Sequence, residues 1–188
     1  MTTTRTWESL TVPAAGTYNL DVAHTRIGFV VKHMMVSKVR GHFDTFTGSV
    51  TIAENPLEST AELTIKTDSI STGMPDRDGH LRSDDFLATE KFPEITFKST
   101  RVVGHAGDEF TVAGDLTVRD VTKEIELTVE YGGVGTNPWG AQVWGFSIHA
   151  EFDREDFGLT WNQALETGGV LVGKKVKIEI EGEANPAA

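Results

Sequence analysis

Apolar residues recur at every second position along almost the whole chain. Ile27, Phe29 and Val31 share one face of a strand, Leu63 and Ile65 another, and Ile95 and Phe97 a third. The same spacing runs through Phe110, Val112, Leu116 and Val118, then through Ile125, Leu127, Val129 and Tyr131. It returns in Phe146, Ile148, Ala150 and Phe152, and in Val176, Ile178 and Ile180. Side chains on a strand alternate between two faces, whereas a helix repeats every 3.6 residues, so each run predicts a strand with one buried side.

Turn signals at Glu54-Asn55-Pro56, Gly104–Asp108, Gly132–Pro138 and Gly168-Gly169 separate these runs. About eight strands with short connections result, without interleaved long helices. Such a pattern closes into an antiparallel barrel or packs as a sandwich, and periodicity alone does not choose. Between Val39 and Ile52 the apolar parity passes from odd to even positions around Phe46-Thr47-Gly48, which predicts a bulge or bend. The 188 residues suffice for one domain with a sizeable core. Residues 1–15 are weakly patterned and expected to be flexible, 16–184 form the folded domain, and 185–188 read as a disordered tail.

Composition removes several classes of function. Cysteine is absent, which excludes disulfides, thiolate metal sites and thiol nucleophiles. A formal net charge of -11 with scattered basic residues argues against nucleic acid, whose phosphates demand clustered Lys and Arg. No apolar run approaches the ~20 residues of a membrane-spanning helix. The first twenty residues lack a basic region followed by an apolar core, so a cytoplasmic location is expected.

The stretch DRDGHLRSDDF (76–86) concentrates four acids, two arginines and a histidine. Pro75 suits a first helical position, Asp76 and Asp78 favour the positive end of the helix dipole, and Asp78 and Arg82 are spaced to pair. A short helix with a polar outer face explains most of these charges. A metal centre would need converging ligands, and the six histidines fit no ligand motif; convergence of His24, His33 and His80 is the one arrangement open. No nucleophile elbow or phosphate loop is present. An acid/base enzyme of isomerase or hydrolase type acting through His80 or His24 is the alternative, as is a quinone- or metal-linked redox module.

Several segments together resemble the YceI-like family of polyisoprenoid-binding proteins. They are TYNLDVAHTRIGFVVKHMMVSKVRGHFDTFTGSV (17–50), DGHLRSDDF (78–86) with KFPEITFKS (91–99), GDLTVRDVTKEIEL (114–127) and REDFGLTWN (154–162). The resemblance implies an extended, lipocalin-like antiparallel barrel of eight strands with a short helical insertion. It also implies non-catalytic binding of a long isoprenoid, or a quinone-like amphiphile, inside the barrel, and it brings in a homodimer, since some members form one. No cofactor other than such a bound lipid is expected. Asp120 stands in the turn after LTVR where glycine is frequent in the family, and aspartate tolerates positive φ there.

In that reading the inward residues Phe29, Val31, Phe43, Phe46, Phe97, Leu116, Phe146 and Ile148 line the cavity, and Phe86, Leu87 and Trp161 close its ends. Met34-Met35 are adaptable rim residues. His33, His80 and Arg82 are the candidates for a polar head group.

Overall fold

The computed structural model describes residues 4–188. A small separate hairpin, β1 (Arg5–Trp7) and β2 (Leu10–Val12), precedes the main sheet. The sheet then runs through β3 (Gly16–Leu20), β4 (Arg26–His33), β5 (Ser37–Phe43), β6 (Phe46–Ile52), β7 (Thr60–Lys66) and β8 (Ile70–Ser71) to the helix α1 (Pro75–Arg82). Long strands follow: β9 (Glu94–Ala106), β10 (Glu109–Val118), β11 (Val121–Thr136), β12 (Gln142–Asp153) and β13 (Val172–Pro186).

All pairings are antiparallel, and β12 pairs with β13 to close the sheet on itself. The barrel has eight staves, because three of them are interrupted. β3 and β4 both lie along β13, with Ala184 opposite Leu20 and Ile178 opposite Phe29. β6 pairs with β3 and β5 with β4; β7 pairs with β6 and β8 with β5. Closure of an amphipathic sheet removes exposed edges and turns one face of every strand inward, so a barrel wins over a sandwich.

The parity change between β5 and β6 is real and falls at Asp44–Thr45, just before the position expected from the sequence. Val39 and Phe43 face inward before the break, and Val50 and Ile52 after it. Aromatic rings reach over glycines on neighbouring strands: a Cβ on Gly41 would sit 2.3 Å from the tip of the Phe29 ring, and one on Gly114 would sit 2.3 Å from that of Phe97. These two positions admit no larger residue without displacing a ring into the lumen.

Three expectations are corrected. The N-terminal segment is structured over Arg5–Val12: strands of three residues are too short to show alternation, and their anchors are distant in sequence. The Arg5 guanidinium donates to the carbonyls of Ala53 and Glu54, and Trp7 packs on His105 and Phe110 with centroids 4.8 and 6.0 Å away. The chain end is also paired, Asn185 with Asn19 and Pro186 with Tyr18, at a strand terminus where a missing N–H is tolerated. In the β10–β11 turn the left-handed residue is Arg119 (φ 57) rather than Asp120, and the Arg119 guanidinium rests 5.5 Å from the Phe92 ring centre.

Candidate functional site

The inward face does not fill the barrel. A cavity of about 910 Å³ runs along it from α1 at one end to the N-terminal hairpin at the other. Phe29, Val31, Phe43, Phe86, Leu87, Phe97, Leu116, Phe146, Ile148 and Trp161 all stand in its wall. Phe46 does not. Its even position shares the inward face of Val50 and Ile52, but its ring is buried within the core cluster without bordering the cavity.

Charged and polar groups gather at the helix end. Lys32 and His33 come from the end of β4, Asp76, Arg77 and His80 from α1, and Arg154 from the turn after β12. Of the three head-group candidates, His33 and His80 are on the cavity wall. Arg82 is not: it points to the other side of α1 and donates to the carbonyls of Asp68 and Ile70, both at 2.8 Å. Arg77, which sequence reasoning missed, takes the inner position, held by Thr72 Oγ1 at 2.7 Å and the Thr72 carbonyl at 3.0 Å.

The charge density of residues 76–86 now has a local explanation. Buried Asp78 accepts from the Thr72 backbone N–H and hydroxyl at 2.8 and 2.6 Å, rather than pairing with Arg82. His80 meets Asp85 at 2.8 Å, and Asp84 meets Lys91 at 2.7 Å. These contacts fasten a helix of eight residues, too short to be stable alone, across the barrel end. His80, Phe86 and Trp161 then form an aromatic cluster there, with ring centroids 4.6–5.4 Å apart.

Arg154 is the second residue that the sequence reading passed over. It is 3% exposed and has no carboxylate partner among the described residues. Its guanidinium donates instead to the carbonyls of Leu159 at 2.6 Å, Gly173 at 2.9 Å and Val172 at 3.4 Å, and lies 5.9 Å from the Phe86 ring centre. Burial lowers its affinity for the proton, yet an arginine stays charged in a protein. The helix end therefore carries a buried positive charge held by carbonyl oxygens, with the carboxylates of Glu155 and Asp153 near enough to favour it.

The opposite end is less charged. Val12 and Pro13 stand in the wall together with Val102, Phe110 and Tyr131. The Tyr131 hydroxyl donates to the Thr11 carbonyl at 2.8 Å, and burial pushes its pKa up to about 12, so it remains a neutral donor. Trp144, also in the wall, is buried, and its Nε1–H has no acceptor among the described residues.

His24 lies elsewhere. It sits on the outer turn between β3 and β4 with Asp21 and Glu183, whose donor atoms fall within 4.8 Å of one another. The Asp21 carboxylate is already engaged by His24 at 2.9 Å, Asn185 at 3.1 Å and the Ala23 N–H at 2.9 Å. His24 thus does not converge with His33 and His80, and an acid/base role in the cavity rests on His80 alone.

Comparison with known proteins converges on one family. The YceI-like domain model matches residues 18–184. UPF0312 proteins of Staphylococcus aureus strains N315 and Mu50 are 43% identical over 168 residues, spanning 88% of this chain and 95% of theirs. Among solved structures, the Campylobacter jejuni YCEI protein superposes with a TM-score of 0.71 at 30% identity, over 84% of this chain and 90% of that one. BcnA of Burkholderia cenocepacia gives 0.74 at 22% identity over 87% and 98%, and a polyisoprenoid binding domain from Saccharophagus degradans gives 0.65 at 16% identity over 93% and 100%. With its closed eight-stranded barrel and a family match across nearly all of it, the chain belongs to the YceI-like family.

Proposed function

We infer that the protein binds one long apolar chain, of the isoprenoid type or a similar amphiphile, inside the barrel and holds it without chemical change. The observation that carries this reading is the continuous apolar cavity of about 910 Å³ with its charged groups gathered mainly at one end. A cavity of about 150 Å³ accommodates benzene, or roughly 25 Å³ per carbon, so this one accommodates about 35 carbons, roughly seven isoprene units. Support also comes from the family and from the Saccharophagus degradans domain, described as polyisoprenoid binding.

The energetics are sufficient. Each buried methylene contributes roughly 0.8 kcal/mol, so one five-carbon unit contributes on the order of 4 kcal/mol before ordering costs. The net charge of -11 resides mostly on the outside, where salt screens it beyond about 8 Å. In this reading the tail supplies affinity, and His33, His80 and Arg77 orient a polar or quinone-like head, beside the buried charge of Arg154. Carriage or storage of the lipid follows as the physiological role.

Native mass spectrometry of freshly purified protein, followed by organic extraction, tests the reading. A lipid-sized mass adduct that disappears on extraction and returns with added prenol is the expected result. Protein that carries no adduct and takes up no prenol of any length overturns it.

A further inference from the structure

The N-terminal hairpin is an addition to the barrel rather than part of it. It pairs with none of the barrel strands and lies before residue 18, where the family match begins. Nevertheless it is tied to the barrel at several separate points. Arg5 reaches the carbonyls of Ala53 and Glu54 beyond β6, and Trp7 packs on His105 and Phe110 at the β9–β10 hairpin. Glu8 approaches His105 at 3.5 Å, and Tyr131 of β11 donates to the Thr11 carbonyl. These ties span the rim formed by the ends of β6, β9 and β11. Between them Val12, 5% exposed, and Pro13 stand in the cavity wall.

We propose that this hairpin is the floor of the cavity and sets the greatest chain length that the protein accepts. The proposal rests on the binding reading above and adds a specificity element to it. An amphiphile whose head lies with His33, Arg77 and His80 directs its tail toward Val12 and Pro13. Each further isoprene unit gains burial until the tail reaches them. The next unit must either displace the hairpin, breaking the Arg5, Trp7 and Tyr131 contacts, or push its own head out of the polar end. Affinity therefore rises with length and then falls at a cut-off, which scales to about seven units from the cavity volume.

The test offers prenols of graded length, from farnesol upward, to delipidated full-length protein and reads uptake by native mass spectrometry. Two variants bracket the floor. Val12→Trp raises it and shortens the cut-off by at least one isoprene unit. Arg5→Ala with Trp7→Ala, neither of which touches the cavity, releases it, so that longer prenols enter while farnesol uptake is retained. A melting curve on each variant verifies that the barrel is folded. A shift in the stated direction in either folded variant supports the proposal. Unchanged cut-offs in both, or shifts in the reverse direction, with wild-type protein still taking up prenols, overturn it and leave the binding reading intact. Wild-type protein that takes up no prenol overturns the binding reading and this inference with it.

Discussion

Arg154 shows how one side chain can hold the helix end of the barrel together. Its three carbonyl partners belong to the loop after β12 and the first residues of β13, so one guanidinium joins segments that no ladder connects. Arg154→Ala would take this donor from the Leu159 and Gly173 carbonyls inside a dry wall, at roughly 1–3 kcal/mol for each one that water cannot reach, while the Val172 carbonyl keeps the Asn162 amide at 2.7 Å. The expected loss is about 3–5 kcal/mol, read from the midpoint of urea unfolding, with Arg154→Lys recovering only part because an ammonium lacks the planar fork. In the sequence Arg154 was indistinguishable from any charged residue after a strand. Its partners are backbone oxygens, and backbone oxygens leave no trace in residue identity. The same is true of Arg77 and Arg82: only the direction of each side chain from α1 decides which one faces the lumen.

At the scale of elements, the turns hold the least comfortable geometry. Met34 and Met35 both adopt left-handed φ, 50° and 62°, in the β4–β5 connection, a conformation that costs a non-glycine residue about 1–2 kcal/mol. Met35→Gly relieves this strain but loosens the unfolded chain, for a net gain of about 0.5–1 kcal/mol and a rise in melting temperature of ~1–4 °C. The turn between β3 and β4 depends on pH. The hydrogen bond between Asp21 and His24 holds the carboxyl below its ordinary 3.8 and the imidazole above its ordinary 6.5. The His24 contribution is complete below 6.5 and fades as pH rises through the raised value. That of Asp21 is complete above 3.8 and fades as pH falls through the depressed one. Both are in full force only between 3.8 and 6.5. In an NMR titration the His24 ring should titrate above 6.5, and Asp21→Asn should bring it back down. The period-two runs made most barrel strands legible, because each buries one face. The β1–β2 hairpin was illegible for the opposite reason, since its two short strands are held by contacts from residues 48 to 120 positions away.

For the whole molecule, closure is what creates a binding site from ordinary strands. Phe29, Phe97 and Phe146 could be read from the sequence as inward-facing, but whether their rings met across the barrel or left a hollow depended on its circumference, which no local pattern encodes. The hollow has a thermodynamic consequence. An unfilled apolar lumen forgoes dispersion contacts along its whole wall, and a chain that fills it binds only the folded state. Loading must therefore stabilise the barrel by RT ln(1 + [L]/Kd), about 2.7 kcal/mol when free ligand stands at 100 times Kd. For a chain of this length that corresponds to a rise in melting temperature of about 5–11 °C. The rise should grow with prenol length up to the cut-off and then fall, because a longer chain must displace the hairpin or draw its head out of the polar end and so binds more weakly. Delipidated and reloaded protein that melt at the same temperature, at ligand concentrations where mass spectrometry shows one lipid per chain, would mean that the lipid sits on the surface and not in the lumen.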